Sequence, residues 1–135
     1  MKSMFLTYLL VIFISSISFS QSLRENLDYV NDQLSKYNSH KIVFNIDTEH
    51  KALVIYDDIS TLVCYFEDVD FDYAEDDSAA IEIYCSEEDE CIDQKKLSEE
   101  EYSVLEKYTI ELDGANLNRV LEKLDKIKEL VLEED

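Results

Sequence analysis

Proline and tryptophan are absent from this 135-residue chain, and Gly114 is its only glycine. Dinucleotide fingerprints, phosphate-cradling loops and nucleophile elbows each need several glycines, for close backbone approach or strained turns. Those three classes of site are therefore excluded. Turns fall instead to Asp, Asn and Ser, whose short side chains bond to nearby backbone. Positive charge is scarce: 12 Lys and Arg stand against 32 Asp and Glu, a net charge of −20. Nucleic acids and anionic membrane surfaces are bound through cationic side chains, so both are poor partners for this chain. A basic protein or other cationic partner suits it better.

Imidazole is scarce as well. His40 and His50 flank the first expected strand. With a hairpin turn at Thr48-Glu49 they lie about 23 Å apart at the usual strand rise, too far to share one metal. No H-E-x-x-H spacing occurs, and neither histidine stands in a triad order with serine or cysteine. No catalytic residue and no cofactor-binding residue is nominated. A secreted hydrolase is the weakest of the readings considered, because nothing singles out one pair from the many carboxylates.

What is present begins with the N-terminus. Lys2 supplies a basic start, Met4 to Ile14 form an apolar core, and Ser18 and Ser20 place small residues at −3 and −1 before Gln21. This is the pattern of a secretory signal peptide over residues 1–20, cleaved after Ser20, and it points to a secreted or periplasmic protein. The apolar run is too short for a bilayer core that needs about 20 helical residues. Cleavage removes one lysine and no acid, so the net charge of −20 becomes −21. Residues 21–135 are then expected to form a single α+β domain.

Apolar residues recur at helical spacing at both ends. Leu23, Leu27, Val30 and Leu34 predict a helix over about 22–37, and Leu117, Val120, Leu121, Leu124, Ile127 and Val131 predict a second. Asp113-Gly114 and Asn116 supply its turn and cap. Between the helices the period falls to two. Strands are expected over 41–47, 52–57, 61–66, 79–85 and 107–112, the first two forming a hairpin. Ser98 and Glu101 have capping-box spacing, which predicts a helical turn over 99–103, although Tyr102-Ser103-Val104 has the look of a strand start. The expected fold is an antiparallel meander of about five strands flanked by the two amphipathic helices. A pleckstrin-homology-like bent sheet or barrel capped by the C-terminal helix is the alternative, suggested only by the order of elements.

Three cysteines in an oxidising compartment suggest one disulfide and one free thiol. Cys85 and Cys91 bracket a polar turn and are the natural pair, while Cys64, within Leu62-Val63-Cys64-Tyr65-Phe66, reads as a buried small hydrophobe.

The acids are concentrated. From Ala52 to Gln94, forty-three residues hold fifteen Asp or Glu and no Lys or Arg, so one region of the fold must be anionic. Within it, Asp68, Asp70 and Asp72 have the D-x-D-x-D opening of a calcium loop. Tyr73 stands where that loop needs glycine, and Ala79 where it needs a bidentate glutamate. An EF-hand is rejected. An irregular calcium site using Asp68, Asp70, Asp72 and Glu75 is the weaker reading of the stretch, and a calcium-responsive structural protein the corresponding function. A strand with alternating Val69, Phe71 and Tyr73 explains the same residues without metal. The favoured function is a non-enzymatic binding or accessory module that meets a cationic partner through Asp68, Asp70, Asp72, Asp76 and Asp77.

Overall fold

Nothing between residues 2 and 37 stops a helix, since that span has neither glycine nor proline. In the computed structural model, which describes residues 2–133 and the side chains from Phe19 onward, α1 accordingly runs unbroken from Lys2 to Tyr37. It is longer than the apolar stripe alone predicts. Leu23, Val30 and Leu34 are buried as that stripe requires. The C-terminal helix, α2, spans Leu117–Glu133. Asn116 caps it, its side-chain oxygen accepting the Arg119 N–H at 3.2 Å.

Eight antiparallel strands lie between the helices: β1 (Val43–Asp47), β2 (Ala52–Tyr56), β3 (Ser60–Tyr65), β4 (Val69–Tyr73), β5 (Ala80–Cys85), β6 (Ile92–Lys96), β7 (Tyr102–Leu105) and β8 (Lys107–Glu111). They form two open sheets, ordered β1-β2-β3-β6-β7 and β4-β5-β8. The architecture is α+β with a helix from each end of the chain, as expected. The single meander of about five strands is corrected to two sheets, and neither closes into a barrel. The helical turn expected over 99–103 is also corrected. Lys96 turns back through a Glu99 N–H to Lys96 C=O bond of 3.1 Å, and β7 starts at Tyr102. Pairing with β6 outweighs the capping-box signal.

One segment creates the second sheet. Residues 102–111 are broken only at Glu106, yet Leu105 pairs with Ile92 of β6 while Glu106 accepts a 2.9 Å hydrogen bond from the Cys85 N–H at the end of β5. The backbone switches partner sides within two residues, so β7 and β8 belong to different sheets. Cys85 and Cys91 sit at disulfide distance beside this switch, with Cα atoms 5.8 Å apart. Two residues beyond the switch, near the start of β8, the Tyr108 hydroxyl donates to Asp57 at 2.9 Å and ties the sheets again.

The inward faces carry the apolar residues: Phe44, Leu53, Ile55 and Leu62 on one sheet, Ile81, Ile83 and Ile110 on the other. Leu34, Val120, Leu124 and Ile127 close the core from the helices. Each helix also blocks a sheet edge. The Asn31 side chain accepts the Phe44 N–H at 2.8 Å and donates to the Phe44 C=O at 2.9 Å, standing in for a neighbouring strand at β1. Lys128 Nζ donates to the Val69 C=O of β4 at 2.7 Å. Such covering removes sites for unwanted strand pairing.

Candidate binding face

Alternation along β4 puts Val69 and Phe71 into the core and leaves Asp70 and Asp72 on the outward face. The strand reading of this stretch is therefore the one the fold adopts. Antiparallel register extends the outward face across the sheet: Asp72 lies opposite Glu82, which lies opposite Thr109, and Asp70 lies opposite Tyr84, which lies opposite Lys107. The result is a shallow depression of about 480 Å³ whose walls include Asp72, Glu75, Glu82, Glu88 and Glu106, with Tyr73, Tyr84 and Lys107. Asp72, exposed, and Glu82, only 9% exposed, are like charges on register-paired residues, an arrangement that costs stability.

Electrostatics within the face are uneven. Lys128 beside Asp70, at 2.8 Å, holds that carboxyl below the usual range, and the Ser86 hydroxyl at 2.7 Å assists. Burial pushes the Asp125 carboxyl up, and the charges of Asp70 and Asp72 add to that push against the opposing Lys128. Burial likewise raises the Tyr84 phenol, helped by Asp70, Asp72, Glu82 and Asp125, so it stays a hydrogen-bond donor at neutral pH.

The nominated residues are not all brought together. Asp72 and Glu75 line the depression, but Asp70 is engaged by Lys128 and Ser86. Asp68 sits in the turn before β4 and lines a neighbouring hollow of about 380 Å³ with Glu67, Glu87, Asp89 and Glu90 beside Cys85 and Cys91. Asp77 accepts the Ala79 N–H at 2.9 Å and serves the β4–β5 turn, while Asp76 is exposed on the same loop. Sequence reasoning missed Glu82, Glu88 and Glu106. Glu82 had an available signal, since it alternates with the apolar Ile81 and Ile83, but its opposition to Asp72 is a matter of register.

A compact set of metal-ligand types occurs elsewhere. Asp47, Glu49 and His50 hold one ligand atom each within 4.8 Å of one another at the β1–β2 turn. A hydrogen bond from His50 Nδ1 to Asp47 at 2.7 Å occupies two of those groups; it raises the imidazole pKa and lowers that of the carboxyl. An ion there must displace that bond. His40 faces Asp58 at 4.0 Å, at the opposite end of β1. A further cleft of about 540 Å³ separates β8 from the β2–β3 turn, with Ile42, Ile59, Tyr108 and Ile110 in its lining. Cys64 is buried and free, its thiol pushed up to about 12 by burial and then by Asp93. Among the described residues no helix is long and apolar enough to cross a membrane. No family model, characterised protein sequence or solved structure matches this chain.

Proposed function

We propose that this chain is exported, loses residues 1–20, and works as a non-enzymatic binding module whose acidic three-stranded face receives a basic protein. The observation that carries this reading is the in-register opposition of Asp72 and Glu82 in the lining of a depression that further carboxylates wall. Two unit charges at cross-strand distance repel by on the order of 1 kcal/mol in water, and the burial of Glu82 weakens that screening. A cationic side chain placed between them converts that repulsion into attraction. Solubility alone asks for dispersed charge and does not ask for two carboxylates facing each other. The cysteine pair at disulfide distance is compatible with an oxidising compartment.

Affinity capture with the mature protein, at low and moderate salt, tests the reading. The double variant Asp72→Asn, Glu82→Gln should capture its basic partner more weakly and lose most of the salt dependence, while its own stability rises. Capture unchanged by the double variant overturns the assignment of this face. Intact mass of the exported protein tests the leader: a species beginning at or near Gln21 is expected, and one retaining residues 1–20 refutes it.

A further inference from the structure

Of the four sheet edges, α1 covers β1 through Asn31 and α2 covers β4 through Lys128, while β8 has only its Glu111 C=O taken, by the Asn38 side chain at 2.7 Å, and leaves the outward groups of Lys107 and Thr109 open among the described residues. The β7 edge receives no such side-chain contact among the described residues. Ile92 lies opposite Leu105 and Gln94 opposite Ser103, and the β3–β6 register, with Leu97 N–H bonded to Ile59 C=O, aims the even-numbered residues of β6 at β7. Ser103 and Leu105 therefore turn their backbone groups toward β6, and Tyr102 and Val104 turn theirs outward. Among the described residues those outward groups have no hydrogen-bond partner. The same two residues present their side chains to solvent, 66% and 46% exposed.

We infer that β7 is a strand-addition site for an extended segment of a basic protein, one with β-branched residues at its centre and Lys or Arg on both flanks. An added antiparallel strand pairs with the N–H and C=O of Tyr102 and Val104, and its alternate side chains pack on theirs. Charge selects the occupant. Glu99, Glu100 and Glu101 precede the strand and Glu106 follows it, outnumbering Lys95, whose ammonium lies 5.7 Å over the Tyr102 ring, Lys96 and Lys107, so basic flanks meet more carboxylates than ammonium groups. Glu106 is also a wall of the acidic depression, so a strand on β7 leads into that face. A second copy of this chain is the disfavoured occupant: in the self-pairing that engages Tyr102 with Val104, Glu100 of each copy falls opposite Glu106 of the other. The inference rests on the proposed reading of the chain as a binder of basic proteins and adds the mode of binding.

The probe is a synthetic peptide, Lys-Lys-Thr-Val-Thr-Val-Thr-Lys-Lys, with a Glu-flanked version and a version N-methylated at its valines. Binding is read by fluorescence anisotropy, and protection by NMR hydrogen exchange of the Tyr102 and Val104 amides on the mature protein. The Lys-flanked peptide should bind and slow both amides, and N-methylation should weaken it at least about tenfold by removing backbone hydrogen bonds. Val104→Pro, which deletes one outward N–H, should do the same; the N-methylated peptide decides the matter if that variant fails to fold. Binding without protection of these amides, but abolished by Asp72→Asn with Glu82→Gln, overturns the edge mode and leaves the acidic face standing. Absence of binding at millimolar peptide, or equal binding of the Glu-flanked version, overturns both. Self-association of the protein that Val104→Pro abolishes assigns the edge to a second copy and also overturns the inference.

Discussion

Tyr108→Phe is the sharpest probe of how the two sheets are held together. Asp57 accepts the Ile59 N–H at 2.9 Å, the Ser60 N–H at 2.7 Å and the Ser60 hydroxyl at 3.0 Å, while its other oxygen accepts the Tyr108 hydroxyl at 2.9 Å. The β2–β3 turn of one sheet is thereby bound to β8 of the other. Removing the phenol oxygen keeps the ring and deletes one hydrogen bond to a charged acceptor, worth about 1.5–3 kcal/mol when well sheltered. Asp57 is half-buried and water replaces part of the loss, so a cost of about 1–2 kcal/mol is expected. For a domain of this size that is a fall in Tm of roughly 5 °C. A double-mutant cycle with Asp57→Asn, which keeps an oxygen for the turn amides, should show coupling of about 1 kcal/mol.

The pH dependence of that difference carries a sign. Burial, with the Asp57 hydrogen bond second, raises the Tyr108 phenol far above its ordinary value. Below about pH 10 neither the folded nor the unfolded phenol ionises, and the contribution is complete. Above it the unfolded chain loses its proton first, so the stability advantage over Tyr108→Phe shrinks as pH rises. Burial opposes ionisation of Asp57, but the Ile59 amide, the Tyr108 hydroxyl, and the Ser60 amide and hydroxyl outweigh it and hold the carboxyl low. That contribution is present above about pH 4 and fades as pH falls through the lowered folded value. Thermal unfolding of wild type and Tyr108→Phe across this range is the assay. Equal Tm at neutral pH, with no narrowing of the difference above pH 10, refutes the role of this bond.

Peptide mapping without reduction should recover Cys85 linked to Cys91, with native Cys64 inert to thiol reagents at pH 8 because its thiol is pushed up to about 12; rapid labelling of Cys64 in the folded protein refutes its burial. Reduction of so short a loop should cost about 2 kcal/mol in denaturant titration. Asp70→Asn should cost about 0.5–1 kcal/mol at neutral pH by breaking the Lys128 pair, the difference disappearing as pH falls through the lowered Asp70 value, and a pH-independent difference contradicts the pairing. Gly114→Ala should lower stability by about 1 kcal/mol or more, because Gly114 has φ +97 and a new Cβ would lie 3.4 Å from the Tyr37 ring; an unchanged Tm shows that the turn rearranges without strain.

Local periodicity was enough to reveal both helices, since burying Leu23, Val30 and Leu34, or Val120, Leu124 and Ile127, depends only on residues three and four apart. It was enough for the β1–β2 hairpin, for the alternation of β5 and β8, and for the pairing of cysteines six residues apart. It did not reveal β6, whose Ile92-Asp93-Gln94-Lys95-Lys96 has one apolar residue and no alternation. That segment is a strand because β3 and β7 supply hydrogen bonds from both sides, a non-local cause. The switch at Glu106 is of the same kind: two adjacent residues choose opposite neighbours, and no spacing within the segment records the choice. Acidity between 52 and 94 announced an anionic region, but only register could set Asp72 against Glu82, or give Asp70 to Lys128 from a helix fifty-eight residues away. A side chain's face follows from its position along its own strand, whereas the charge it meets depends on which strand folds beside it.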